Sequence, residues 1–238
     1  MFRGRAAVFG ASGGIGAALA KALAARGDQV LAASRSGKVP QGEGIVPFTC
    51  DITEEASLAS MVDAWRDDPP RLVLVATGVL TLPDGTGPER SYKALDPDVM
   101  AEVFRINAIG PALVAKHLLP LFPRQGRSVF AALSARVGSI SDNRIGGWHS
   151  YRASKAALNM LVANLAIELG RTHRDAIAVA LHPGTVDTAL SSPFQSNLPQ
   201  GQLTAPGASA ANLLEVIDRL GPDDSGGLFD WRGTRIAP

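Results

Sequence analysis

Short apolar runs alternate along the chain with longer amphipathic stretches, and glycine, proline and acidic residues punctuate them. RAAVFG at 5–10 is an apolar run of strand length. GIGAALAKALAARG at 14–27 has helix length and a high alanine content, with Gly27 as its stop signal. QVLAAS and GIVPFTC predict a second and a third strand. EEASLASMVDAWRDD predicts a helix with acidic residues near its start, ended before Pro69 and Pro70. RLVLVAT has the continuous apolar core of a strand covered on both faces.

Residues 96–119 then predict one long helix, with Asp96 as cap and Pro97 in the first turn. RSVFAALS predicts the fifth strand, residues 150–170 a second long helix, AIAVALH the sixth strand and residues 206–220 a further helix. GGLFDW closes the series as a last edge strand. The order β-α-β-α implies an α/β protein: a single doubly wound parallel sheet with right-handed crossovers and helices on both faces. No internal repeat or linker composition interrupts the pattern, so it predicts one domain over 1–238.

Composition narrows the function classes. Apolar residues are 46% of the 238 and charged residues 19%, ordinary values for a compact soluble protein. Lys plus Arg number 23 against 22 Asp plus Glu, with no basic block of the kind that marks nucleic-acid contact. Cys50 is the only cysteine, which excludes an internal disulfide and suits a reducing compartment. No run reaches the roughly 18 apolar residues of a membrane-spanning helix, and the first residues run straight into a strand without a leader's apolar region. The expectation is a cytoplasmic protein that binds neither membrane nor nucleic acid. His117, His149, His173 and His182 lack metal-ligand spacing, so no metal site is expected.

The turn GASGGIG joins the first strand to the first helix. Gly10 permits a tight turn, Gly14 lets backbone approach a pyrophosphate, and Gly16 lets helix and strand pack closely. Ser12, Gly13 and Ile15 belong to the same expected site, where the helix N-terminus offers N–H groups to phosphate. The bland alternative is a glycine-rich loop that merely turns. At the end of the second strand, Ala33-Ser34-Arg35-Ser36 carries no carboxylate for a ribose 2′-hydroxyl. Arg35 can instead face a 2′-phosphate, with Ser34 or Ser36 donating, unless it is only a solvated surface arginine. NADP(H) is therefore expected over NAD(H), which stays open. After the third strand, Asp51 and Ile52 are candidates for the adenine end, Asp51 equally for a helix cap.

YRASK places Tyr151 and Lys155 one helical turn apart on a shared face. A free phenol, with pKa about 10, is a poor proton-transfer group near neutrality. A nearby ammonium stabilises the phenolate, so the pair can serve proton transfer to and from a substrate oxygen.

GASGGIG, Asn107 in FRINAIGP, Ser134 in AALSARVGS, YRASK and HPGTVDT together resemble the short-chain dehydrogenase/reductase family, in matching order along nearly the whole chain. The stretch SARVGSISDNRIGGWHSYRASKAALNM and the SGGLFDW end look most like the C-factor-like branch. Some members of that branch are described as carbonyl reductases and others as signalling-related. The resemblance implies a Rossmann fold and a nicotinamide-dependent exchange between a carbonyl and a secondary alcohol. It implies Tyr151 as general acid/base and Lys155 as the group that lowers its pKa and bonds the nicotinamide ribose. It further implies Ser134 as the donor to the substrate carbonyl, and Asn107 at a helix break holding a relay water. Pro183, Gly184, Val186 and Thr188 match the family's Pro-Gly-x-x-x-Thr pattern and are expected at the carboxamide. Homodimers or homotetramers through the two long helices are implied too, with Leu158, Leu161, Val162, Leu165 and Leu169 serving that interface or the core.

Two departures stand out. Where the family has Asn-Asn-Ala-Gly after the fourth strand, this chain has VATG, keeping Ala76, Thr77 and Gly78 for the site but not the bracing amides. The family's serine commonly stands three residues before a glycine, and here that position, counted from Gly138, is Ala135. Ser134 is one residue earlier, with Ser139 and Ser141 as possible substitutes. Residues 189–205 are polar and without helical period, and so are expected to form a substrate lid. Phe194 and Leu198 suggest a modest, partly apolar substrate. Trp148 either walls the pocket or anchors the helix start. His149 either lines the pocket or lies on the surface, and His182 falls near the cofactor. The alternatives to a reductase are a dinucleotide-binding regulatory or signalling protein with vestigial chemistry, or the same fold performing enoyl reduction or epimerisation.

Overall fold

A computed structural model describes residues 4–196, 199 and 201–238. Leu198 lies outside the described residues, as does part of the expected lid. In chain order the elements are β1 (Arg5–Phe9), α1 (Gly14–Ala25), β2 (Gln29–Ser34), β3 (Ile45–Thr49), α2 (Glu55–Trp65) and β4 (Leu72–Val75). There follow α3 (Pro97–Phe104), α4 (Gly110–Leu118), β5 (Ser128–Leu133), α5 (His149–Gly170) and β6 (Ala176–His182). The chain closes with β7 (Thr185–Val186), β8 (Leu203–Thr204), α6 (Pro206–Arg219), β9 (Leu228–Asp230) and β10 (Arg235–Ile236).

The main sheet has eight strands in the order β10-β9-β6-β5-β4-β1-β2-β3. All neighbours are parallel except β9 and β10. Alternate residues of the central strands feed two cores, as the two-residue period of a strand requires. Ala7, Phe9, Phe130 and Ala132 face α2, α4 and α5, where Leu58, Leu118, Leu158 and Val162 complete one core. Ala6, Val8, Val129 and Val179 face α1 and α6, with Leu19, Leu23, Leu213 and Ile217. Truncating any of these buried leucines to alanine is expected to cost about 2–5 kcal/mol. Leu158, Val162 and Leu169 thus belong to the core, while Met160 and Ile167 are the large apolar side chains that α5 exposes. Among the described residues no helix is long and apolar enough to cross a membrane.

Two expected elements need correction. The single helix over 96–119 is instead α3, a π turn at Arg105–Ile109, and α4. Asp96 caps it as expected, accepting from the amides of Asp98 and Val99. The break follows from Pro111, which has no N–H for the carbonyl four residues back, and Gly110 N–H reaches Arg105 O five back. The closing GGLFDW strand is not the last. Asp230 Oδ1 accepts from Arg232 N and Thr234 N, both at 2.9 Å, folding a tight turn that returns β10 as the antiparallel edge.

Candidate active site

The glycine turn sits at the C-terminal end of β1. Gly10, at φ +83°, and Ala11 both donate to Ala33 O at 3.0 Å, so the turn leans on β2. A Cβ on Gly16 would lie 2.2 Å from Gly10 O, so only glycine lets α1 start this close to the strand. Gly13, the N-cap of α1, supplies no side-chain cap, and no acidic residue lies in the first turn. The helix therefore presents its free N–H groups and positive dipole end to a cleft of about 580 Å³. Gly10, Ser12 and Gly13 form one wall, Ser34 and Arg35 another, and Asp51, Ile52, Ala76, Thr77 and Gly78 the remainder. Thr77 Oγ1 is buried there without a hydrogen-bond partner among the described residues. An uncapped glycine-lined helix start beside an unpartnered buried hydroxyl fits a dinucleotide.

Burial pushes the Asp51 carboxyl upward, but the Thr53 amide and hydroxyl, at 2.9 and 2.7 Å, together with Arg35 and Arg105, hold it below its usual value. Asp51 thus braces the chain after β3 and borders the cleft, but it does not cap the next helix, since the N-cap of α2 is Glu54 and no side chain caps it. Arg35 itself is exposed at the end of β2.

The cleft continues past Ala76, Thr77 and Gly78 into a second space of about 370 Å³. Gly14, Ile15 and Gly16 line it on one side, and Pro183, Gly184, Val186 and Thr188 below. Ser134, Tyr151 and Lys155 line it on the other side. Tyr151 and Lys155 share one face of α5, with the Lys155 Nζ 5.9 Å from the centre of the phenol ring. Gly138 lets the loop after β5 lie directly on this helix: a Cβ there would come within 2.8 Å of Lys155 Cβ. Lys155 is 3% exposed and donates to Leu133 O at 2.9 Å. Burial lowers its amine to about 8 and raises the Tyr151 phenol to about 12. The ammonium was expected to acidify the phenol; in the protein alone, burial outweighs it, because a low-dielectric site disfavours the charged form of both groups.

Asn107 lies within the π turn and is fully buried. Its amide clamps the chain after β4, accepting from Val79 N at 2.8 Å and donating to Val79 O at 2.9 Å and Ser154 Oγ at 3.1 Å. This one side chain braces a segment that lacks asparagines of its own. A Cβ on Gly78 would lie 3.3 Å from Asn107 Oδ1 and 3.4 Å from Lys155 Nζ, so the two side chains meet across that glycine.

Ser134 borders the cleft, yet its hydroxyl donates to Asn159 Oδ1 at 2.6 Å. Ala135 is the residue packed against Tyr151, with Leu80. Ser139 is buried and accepts from Asp142 N, while Ser141 is exposed, and neither borders the cleft. The sequence reading missed Asn159, although its position one turn beyond Lys155 put it on the right face.

Glu89 was also missed. Its carboxylate takes the Ser150 amide at 3.1 Å and the Ser150 hydroxyl at the start of α5. Its backbone carbonyl takes Trp148 N at 2.5 Å, where Trp148 adopts a left-handed φ of +49°. Burial works to raise the Glu89 carboxyl, but the Ser150 hydrogen bonds hold it below its usual value. The contact spans 61 residues, and no local pattern could show it. Trp148 does both things considered for it, preceding the helix and walling the cleft, while His149 does not border the cleft. His182 does border it; its Nδ1 is buried without a partner among the described residues, and burial lowers the ring to about 4. Among the described residues no group of three or more His, Cys, Asp or Glu could hold a metal ion.

Comparison with known proteins accords with this geometry. The short chain dehydrogenase family matches residues 5–199. C-signal of Myxococcus xanthus is 39% identical over 137 residues, which is 58% of this chain and 77% of that protein. The 1-hydroxy-2-glutathionyl-2-methyl-3-butene dehydrogenase of Rhodococcus sp. (strain AD45) is 34% identical across 95% of this chain and 96% of its own. A solved structure from Burkholderia multivorans, described as a short-chain dehydrogenase/reductase with bound NADP, superposes with a TM-score of 0.83 at 25% identity, covering all of both chains. The match spans most of the sequence and includes both the glycine turn and the Tyr151–Lys155 helix, and the chain accordingly belongs to the short-chain dehydrogenase family of oxidoreductases.

Proposed function

We propose that the protein is an NADP(H)-dependent oxidoreductase interconverting a carbonyl and a secondary alcohol, with Tyr151 as general acid/base. The observation that carries this reading is the position of Tyr151 and Lys155 on the same continuous cleft as the uncapped glycine turn. The dinucleotide supplies hydride chemistry when bound. The α1 N-terminus would hold its pyrophosphate, Arg35 a 2′-phosphate, and Asp51 and Ile52 the adenine end. Lys155 would hold the nicotinamide ribose, and Val186 and Thr188 the carboxamide. The NADP bound in the Burkholderia multivorans relative, and the absence of a carboxylate at Ser34 to Ser36, support NADP(H) over NAD(H).

In reduction, the Tyr151 hydroxyl gives its proton to the substrate oxygen as negative charge develops there; in oxidation it takes that proton back. A phenol held at about 12 in the protein without nucleotide is protonated at neutral pH and so carries the proton that reduction needs. Lys155, held by its bond to Leu133 O, would offset the charge left on the phenolate and lie on the route by which the proton is restored. Residues 189–205 would act as a substrate lid, its ends held by the parallel pairing of β7 with β8. Exposed Met160 and Ile167 on α5 support a homo-oligomer through that helix, which light scattering would test.

Steady-state kinetics of Tyr151→Phe test the mechanism: kcat should fall by about 10²–10⁴-fold, and near-wild-type turnover would remove it. A regulatory role without turnover is the second reading, favoured by the similarity to C-signal and by Ala135 in place of a hydroxyl. NADPH consumption against a panel of aldehydes and ketones separates the two.

A further inference from the structure

We propose that the substrate is an uncharged aryl carbonyl compound, its ring seated on the wall formed by Trp148 and Phe194. This rests on the carbonyl–alcohol reading and names the substrate class of that site. Trp148 meets Tyr151 edge-on, with ring centres 6.3 Å apart, and meets Phe194 at 5.1 Å. The three rings, with Leu80, Ala135 and Val137, make an apolar surface around the phenol. Trp148 is held by its backbone as well as by packing, since its amide is bonded to Glu89 O next to the Glu89–Ser150 contact. A flat ring gains edge-to-face contact with such a wall beyond the area it buries, and an aliphatic chain does not.

Charge points the same way. Among the described residues, the titratable side chains bordering this part of the cleft are Tyr151, Lys155 and His182. Lys155 is buried and bonded to Leu133 O, and burial keeps His182 neutral. Arg136, the nearby cation on the loop after β5, is paired with Asp142 and Asp230. An anionic substrate would therefore shed its water against apolar rings with no unpaired cation among the described residues there to replace it.

The test pairs methyl 4-formylbenzoate with 4-formylbenzoate, nearly the same shape but neutral and anionic, and adds hexanal and a glutathione-conjugated aldehyde. Binding is read by isothermal titration and turnover by NADPH consumption, for wild type, Trp148→Ala and Trp148→Phe. NADPH binding serves as a check that each variant folds. The ester should exceed the anion by about 100-fold in both affinity and kcat/KM. Trp148→Ala should lower ester binding about tenfold and by clearly more than it lowers hexanal binding, and Trp148→Phe should restore most of the loss. Equal handling of ester and anion, preference for the glutathione conjugate, or a Trp148→Ala variant that keeps the wild-type pattern would overturn the proposal. If the ester binds in a Trp148-dependent way while no carbonyl consumes NADPH, the reaction reading fails and the ring site stands. Absence of ester binding sinks the ring site itself.

Discussion

Ser134 turns its hydroxyl to Asn159, donating to Oδ1 at 2.6 Å, and leaves Ala135 as the residue packed against Tyr151. On the proposed mechanism this leaves the Tyr151 hydroxyl as the donor on this wall of the cleft. An oxyanion donor is worth about 10²–10³ in kcat where one is removed from an evolved site. Ala135→Ser should therefore raise kcat/KM on accepted carbonyls, by about tenfold given an unoptimised hydroxyl. Ser134→Ala should act on stability instead, costing about 1 kcal/mol for the lost bond and changing kcat less than about threefold. Kinetics and urea denaturation of both variants check the assignment. A large kcat loss in Ser134→Ala with no gain in Ala135→Ser would reverse it.

The carboxylate of Glu89 anchors the first turn of α5 through Ser150, on the helix that carries Tyr151. Glu89→Ala strands a buried amide and a buried hydroxyl and should destabilise by about 2–3 kcal/mol. Glu89→Gln keeps an acceptor and should cost about 1 kcal/mol, as it removes a negative charge from a helix N-terminus. The carboxyl is held below its unfolded value. Its contribution is thus present above the unfolded pKa and disappears as pH falls through the folded one. Acid unfolding of Glu89→Gln should accordingly be shallower than that of wild type; identical acid profiles would show that Glu89 anchors nothing.

What the chain disclosed unaided followed from periodicity. β2 and β6 fall at the residues their apolar runs predict, because a strand buried on both faces reads as an uninterrupted apolar string. The glycine turn was legible because its backbone geometry demands particular residues. The break at Arg105–Ile109 was harder: the apolar period runs through it, and only Pro111 and the family pattern at Asn107 mark it. The direction of the Ser134 hydroxyl and the partner of Glu89 are set by contacts between distant segments. The partner of Glu89 leaves no local trace, and that of Ser134 only the helical spacing of Asn159 from Lys155. The balance of burial against charge at Tyr151 and Lys155 was likewise hidden, since sequence spacing gives the neighbour but not the solvent.

Arg35 stands exposed at the end of β2, near enough to Asp51 to help hold that carboxyl down. If it meets a 2′-phosphate, Arg35→Ala removes a charge-assisted contact. The Kd for NADPH should rise about tenfold or more while that for NADH stays within about twofold. Fluorescence titration with both nucleotides decides it, and an equal loss for both would leave Arg35 without a role in selection.

Lys155 gives a pH signature to the protein free of nucleotide. Its amine titrates near 8 in the fold, against 10.5 for an ordinary lysine, because burial disfavours its charge. Between those values the unfolded chain binds more protons than the folded one, so stability rises with pH across that window. The gain is on the order of 3 kcal/mol at most, from a displacement of that size. Tyr151, raised from 10 to about 12, acts in the opposite sense above pH 10, where the folded state keeps a proton the unfolded chain has lost. Urea midpoints should thus climb from pH 8 toward pH 10 and then fall. In Lys155→Met the climb should vanish while the decline above pH 10 persists, since the phenol remains buried. A climb of equal size in that variant would mean that some other group carries the linkage and that the lysine is solvated as an ordinary one.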